Sequence, residues 1–275
     1  MGGMKRDLGG NLKQYWGQHW INALLLALAV SAGGSAILSG CQAPDASAVD
    51  AASSALKTGC QVNADQKASF LKPVGVPTLK VRVDDQFTDA QILAIKKAVD
   101  EWNIFSTRVA GRPYLEVTKN TVPDAVRSMD PHECSGGFGT PDAFYVVRQQ
   151  SNSKWQTMGF SSNISAATVR CDDGSSVTEQ VILVNTSVTD AVQLTSVALH
   201  ELGHALGLDH SCADSFGKTD FKGCAGIPTT HAYRKAVMFP TLKKAHFDGD
   251  IPDIKETLQE NDTARATCIS MGDSQ

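Results

Sequence analysis

The 275 residues are 42% hydrophobic and 20% charged, enough apolar material for one large or two small domains with a real core, and no internal repeat interrupts them. The formal charge of −4 becomes −6 once residues 1–40 are set aside, leaving 22 basic and 28 acidic residues. An acidic chain of this kind gives no support for nucleic-acid binding, which calls for a concentrated basic surface.

At the N-terminus Lys5, Arg6 and Lys13 precede an apolar stretch over 20–38, and no Lys, Arg, Asp or Glu occurs from 14 to 44. That is the pattern of an export signal. A transmembrane anchor is the alternative, but Ser31-Ala32-Gly33-Gly34-Ser35 interrupts the run. Leu38-Ser39-Gly40-Cys41 resembles the bacterial lipobox. That resemblance implies cleavage before Cys41, a lipid on its thiol, and an exported protein held in the cell envelope at the outer membrane or cell surface. Residues 1–40 therefore read as a lipoprotein signal peptide and 41–76 as an Ala/Ser-rich linker, with low complexity over 43–56. Residues 77–275 read as the folded domain.

Within that domain Leu79-Lys80-Val81-Arg82-Val83-Asp84 alternates like a half-buried strand. Thr88-Asp89-Ala90-Gln91 is a capping box that opens a helix, with Ile92, Ile95, Val99 and Trp102 on its apolar face. Short runs rich in β-branched or aromatic residues predict further strands over 115–118, 143–147 and 181–184. A helix over 190–206 packs inward through Leu194, Val197 and Leu202, and a last helix covers 260–271.

The helix over 190–206 runs into His200-Glu201-Leu202-Gly203-His204-Ala205-Leu206-Gly207-Leu208-Asp209-His210, which packs three of the seven histidines into eleven residues. Residues four apart lie on one helix face, so His200 and His204 can offer two imidazoles to one point. A continuing helix would carry His210 to the far side, so the helix must stop first. Gly207 is suited to stop it, because glycine readily takes the left-handed conformation that ends helices. Three imidazoles converging in this way leave one position of a tetrahedral Zn²⁺ open for water, the mark of a catalytic rather than a structural site. Glu201, next to the first ligand, can take a proton from the zinc-bound water, and the reaction class is metal-assisted amide hydrolysis. The bland alternative is a pair of solvated or satisfied histidines on an amphipathic helix.

This string resembles the long zinc signature of the metzincin metallopeptidases, which carry a methionine-containing turn beneath the metal. Ala236-Val237-Met238-Phe239-Pro240 resembles that turn, with Met238 28 residues after His210. Ser211 after the last histidine and the Met-aromatic-Pro form of the turn are most similar to the matrixins. The resemblance implies an α+β metzincin-type peptidase domain over 77–275, with a twisted mixed sheet, a zinc-site helix, a Met-turn and a C-terminal helix. It also implies that His200, His204 and His210 bind zinc, that Glu201 is general base and acid, and that Met238 is a non-ligating support.

By the same resemblance, Met158-Gly159-Phe160-Ser161-Ser162-Asn163-Ile164-Ser165-Ala166-Ala167 occupies the place of a peptide-binding edge strand, with a plain surface hairpin as the alternative. Pro240-Thr241-Leu242 occupies the wall of the pocket for the residue after the scissile bond. No cysteine-containing inhibitory prodomain motif and no histidine-aspartate loop for structural metals is recognisable.

Setting Cys41 aside leaves an even set of six cysteines, with fifteen possible pairings in an oxidising compartment. Cys212–Cys224 is the favoured pair, close behind the third histidine; Cys60–Cys268 could tie the two ends of the domain, which would leave Cys134–Cys171, and the connectivity stays open. Cys212, Cys224 and His231 could instead hold a second zinc, and Cys60 could cap the catalytic metal in a latent form. His19, His132, His231 and His246 read as signal-peptide, loop or surface residues. The expected protein is a zinc-dependent endopeptidase acting on a peptide or protein, anchored to the membrane through lipid on Cys41. The alternatives are a non-catalytic binding lipoprotein of the same fold and a cell-wall peptide hydrolase.

Overall fold

The computed structural model describes residues 78–271 apart from 130–138, 141, 150, 163, 173–176, 209, 213–227, 229 and 241–253. The expected signal peptide, linker and Cys41 lie outside the described residues, as do Cys60, His132, Cys134, Thr241, Leu242, Cys224, His246 and the side chain of Cys268.

Strand β1 (Leu79–Asp84) is followed by α1 (Asp89–Ala110), β2 (Leu115–Asn120), the single-turn α2 (Asp124–Arg127), β3 (Gly139–Thr140) and β4 (Ala143–Arg148). Then come α3 (Asn152–Thr157), β5 (Ala166–Asp172), β6 (Val177–Val184), α4 (Ala191–Ala205), the short α5 (Ala232–Lys235) and α6 (Glu260–Met271). The main sheet has the order β2-β1-β4-β6-β5, and β3 pairs with β4. β2, β1, β4 and β6 run parallel, so each connection must cross over the sheet, and α1 makes the first of these crossovers. β5 turns back antiparallel on β6 and ends the sheet.

α1 begins where its capping box says it should. Thr88 Oγ1 accepts from Gln91 N at 3.3 Å, and Gln91 Oε1 accepts from Thr88 N at 3.0 Å. Its buried stripe, Ile95, Val99 and Trp102, meets α4 over the sheet residues Val81, Val83, Phe144, Val146, Ile182 and Val184. Trp102 Nε1 donates to Leu199 O of α4 at 3.0 Å, which fixes how the two helices lie. Each fully buried side chain of this kind contributes about 1.5–3 kcal/mol, against roughly 1 kcal/mol for a cap. Packing therefore holds the two helices, and the caps set their ends.

Three expected strands are longer than their apolar runs, ending at Asn120, Arg148 and, at the front of β6, beginning at Val177. The added residues Thr178 and Glu179 are polar and half-exposed, so an apolar run could not include them. The expected edge strand is displaced. The described residues between Met158 and Ser165 form no strand, and the edge is Ala166–Asp172.

Candidate active site

The site is built on α4. Asp190 caps it, Oδ1 accepting from Gln193 N at 2.8 Å, and Leu194, Val197 and Leu202 are fully buried on its inner face. Buried His200 and half-buried His204 lie one turn apart. The helix then ends in a Schellman motif, with Gly207 N donating to His204 O at 2.9 Å and Leu208 N to Gly203 O at 2.8 Å. Gly207 has φ of 104°, a conformation that L side chains rarely adopt, so glycine is needed at this turn. The chain doubles back and brings His210 Nε2 to 3.2 Å from His204 Nε2, while His200 Nε2 lies 3.1 Å from the same atom.

Below them runs the methionine-containing turn. His200 Nδ1 is 2.7 Å from Val237 O and His204 Nδ1 is 2.7 Å from Leu208 O. Ser211 N donates to Met238 O at 2.8 Å, and its Oγ donates to Tyr233 O at 2.7 Å, tying the segment after His210 to the turn. The turn is itself held from α6. Asp262 accepts from Val237 N at 2.8 Å, Met238 N at 3.1 Å and Gln259 N at 3.1 Å. Glu201 is buried beside the histidines, with its Oε2 accepting from Thr168 Oγ1 of β5 at 2.6 Å.

Residues 81–216 match the family model described as matrixin. The chain carries a matrixin domain. No curated protein matches the sequence significantly. The match brings zinc as cofactor, metallopeptidase as the activity class and a peptide or protein as the substrate class.

The histidines of the matrixin domain suit that metal. With both Nδ1 atoms facing carbonyl oxygens, the protons sit there, and the Nε2 lone pairs of His200 and His204 are turned toward each other. Facing lone pairs repel unless a cation lies between them. Ligands about 2.0–2.1 Å from a tetrahedral zinc stand roughly 3.3 Å apart, close to the 3.1 and 3.2 Å found here. Burial first, and then the other two imidazoles and the neighbouring Arg170, hold His204 well below its ordinary value, so its imidazole is neutral and its lone pair available.

Burial also lifts the Glu201 carboxyl to about 7, against the pull of the Thr168 hydrogen bond and of His210. Asp262 is raised for the same reason, while its three N–H donors and Arg265 pull it down.

The structure brings His200, Glu201, His204 and His210 of the matrixin domain together with Met238, all singled out from sequence. It adds Thr168, Arg170 and Asp262, which were not. Asp262 reads in sequence as one more acid in the first turn of a helix, and Thr168 and Arg170 as two polar residues of a half-exposed run. His231, read as a loop or surface residue, caps α5, its Nδ1 accepting from Tyr233 N at 3.2 Å.

Proposed function

We propose that this protein is a zinc-dependent endopeptidase in which His200, His204 and His210 hold the metal and Glu201 is general base and acid. The observation that carries the reading is the convergence of three Nε2 atoms within 4.8 Å of one another beside a buried carboxylate. Bound zinc supplies a Lewis acid that activates water near neutral pH. Glu201 accepts the proton of the attacking water on a carboxylate oxygen and returns it to the leaving amine nitrogen. The substrate adds as an extended strand along β5, the end of the sheet nearest α4, through main-chain hydrogen bonds.

The reading includes the rest of the chain. Residues 1–40 export it, lipid on Cys41 anchors it in the cell envelope, 41–76 form the linker and 77–275 the peptidase domain. In this reading the buried Cys171 and Cys212 pair with Cys134 and Cys224 in an oxidising compartment.

Adjacent residues have different jobs, and that separates this reading from a binding module of the same fold. His204→Ala loses zinc and activity together. Glu201→Ala keeps about one zinc per chain and loses about 10²–10⁴-fold in turnover. Elemental analysis beside peptide hydrolysis tests both. Parent-rate hydrolysis by Glu201→Ala removes the mechanism, and a parent protein that binds no zinc removes the site.

A further inference from the structure

We propose that Thr168 is a positioning residue for hydrolysis: its hydroxyl anchors one oxygen of the Glu201 carboxylate and leaves the other to handle the proton. The inference rests on the reading of Glu201 as the base.

β5 presents alternate side chains to α4, and two in succession end on it. Thr168 Oγ1 lies 2.6 Å from Glu201 Oε2 and 3.1 Å from Glu201 O, and Arg170 Nη1 donates to His204 O at 3.1 Å. The threonine hydroxyl has one proton, and the nearer, charged oxygen takes it. The neighbouring imidazoles are committed elsewhere, His200 Nδ1 to Val237 O and His204 Nδ1 to Leu208 O. Among the described residues, Thr168 is the one side chain that hydrogen-bonds the Glu201 carboxylate; its main chain adds a smaller pull on the same group.

A carboxylate free to turn about its last torsion presents either oxygen at any angle, because that torsion is soft. With Oε2 held, the plane of the group is set and Oε1 becomes the oxygen turned to the reacting water. The strand that binds substrate in the proposed function is also the strand that sets this angle. Register with Ile182 of β6 fixes Thr168 along the strand, and the Arg170 contact keeps the strand against α4 whatever occupies position 168.

The test uses the zinc-loaded full chain with Thr168→Val, which keeps the shape and removes the hydroxyl, and Thr168→Ser, which keeps the hydroxyl. Thr168→Val is expected to lose about 10- to 100-fold in kcat, the scale of a misplaced catalytic group, with KM within about twofold of the parent. Its zinc content stays at that of the parent, and Thr168→Ser returns kcat to within a few-fold. Crystal structures supply the second readout: Glu201 keeps one carboxylate orientation in the parent and in Thr168→Ser, and rotates or splits into two in Thr168→Val.

Four results overturn the proposal. They are parent kcat in Thr168→Val, a raised KM at unchanged kcat, failure of Thr168→Ser to restore the rate, and an unchanged Glu201 orientation in Thr168→Val. A parent that cleaves nothing, with Glu201 reoriented in Thr168→Val, instead removes the enzyme reading and leaves the anchor standing. The two failures are thus distinguishable.

Discussion

Gly203, the residue before the second histidine, sits in the last turn of the buried α4, where an alanine would ordinarily gain up to about 0.5–1 kcal/mol. Here a Cβ would land on Met238 Sδ and lie 3.2 Å from both Met238 Cε and Trp102 Cζ2. Neither neighbour can move away freely. Met238 is completely buried, and Trp102 is held by its bond to Leu199 O at 3.0 Å. Overpacking of this kind costs about 1–3 kcal/mol, and with the sulfur inside normal contact the upper half applies. Gly203→Ala is therefore expected to destabilise by about 1–2.5 kcal/mol net, roughly 2–10 °C in Tm for a domain of this size.

The decisive form of the experiment is a double-mutant cycle with Met238→Ala, which alone leaves a cavity costing about 2–5 kcal/mol. In that background the new methyl enters vacated space, so Gly203→Ala becomes neutral or stabilising, a coupling of about 1–3 kcal/mol. Urea unfolding followed by circular dichroism measures all four proteins, at saturating zinc and with zinc content checked, because bound metal adds stability by mass action. If Gly203→Ala costs the same in both backgrounds, or stabilises the parent, the reasoning is wrong.

Asp262→Ala strips acceptors from three buried or half-buried N–H groups, each worth about 1–3 kcal/mol when left unsatisfied. It should cost at least about 3 kcal/mol in urea unfolding; parent-like stability would show that α6 does not hold the Met-turn. For the chain ends, Cys41→Ser should abolish lipidation and release the protein from membranes or block its processing. Mass spectrometry of the mature N-terminus decides this, and an unmodified Cys41 in the parent sinks the idea. Peptide mapping of the same exported protein without reductant should recover Cys212 joined to Cys224, and free thiols at both would refute the pairing.

The parts of this protein legible in the sequence are those governed by local physics. The four-residue spacing of His200 and His204, the arrest of the helix at Gly207 and the capping box at Thr88 each depend on residues within one or two turns. They appear in the structure where the sequence puts them, as does the last helix, Glu260–Met271. The convergence of His210 is of the same kind, since one glycine in a left-handed conformation decides where the next three residues go.

What tertiary structure alone decided are the contacts that join distant segments. Thr168 meets Glu201 across 33 residues, Asp262 meets Val237 across 25, and Trp102 meets Leu199 across 97. The edge strand hid its bounds for a related reason. It has one partner in the sheet, and its residues from Ala167 to Arg170 are half-buried, so neither alternation nor an apolar run marks it. Its register comes from pairing with β6, and only that register brings Thr168 to the carboxylate.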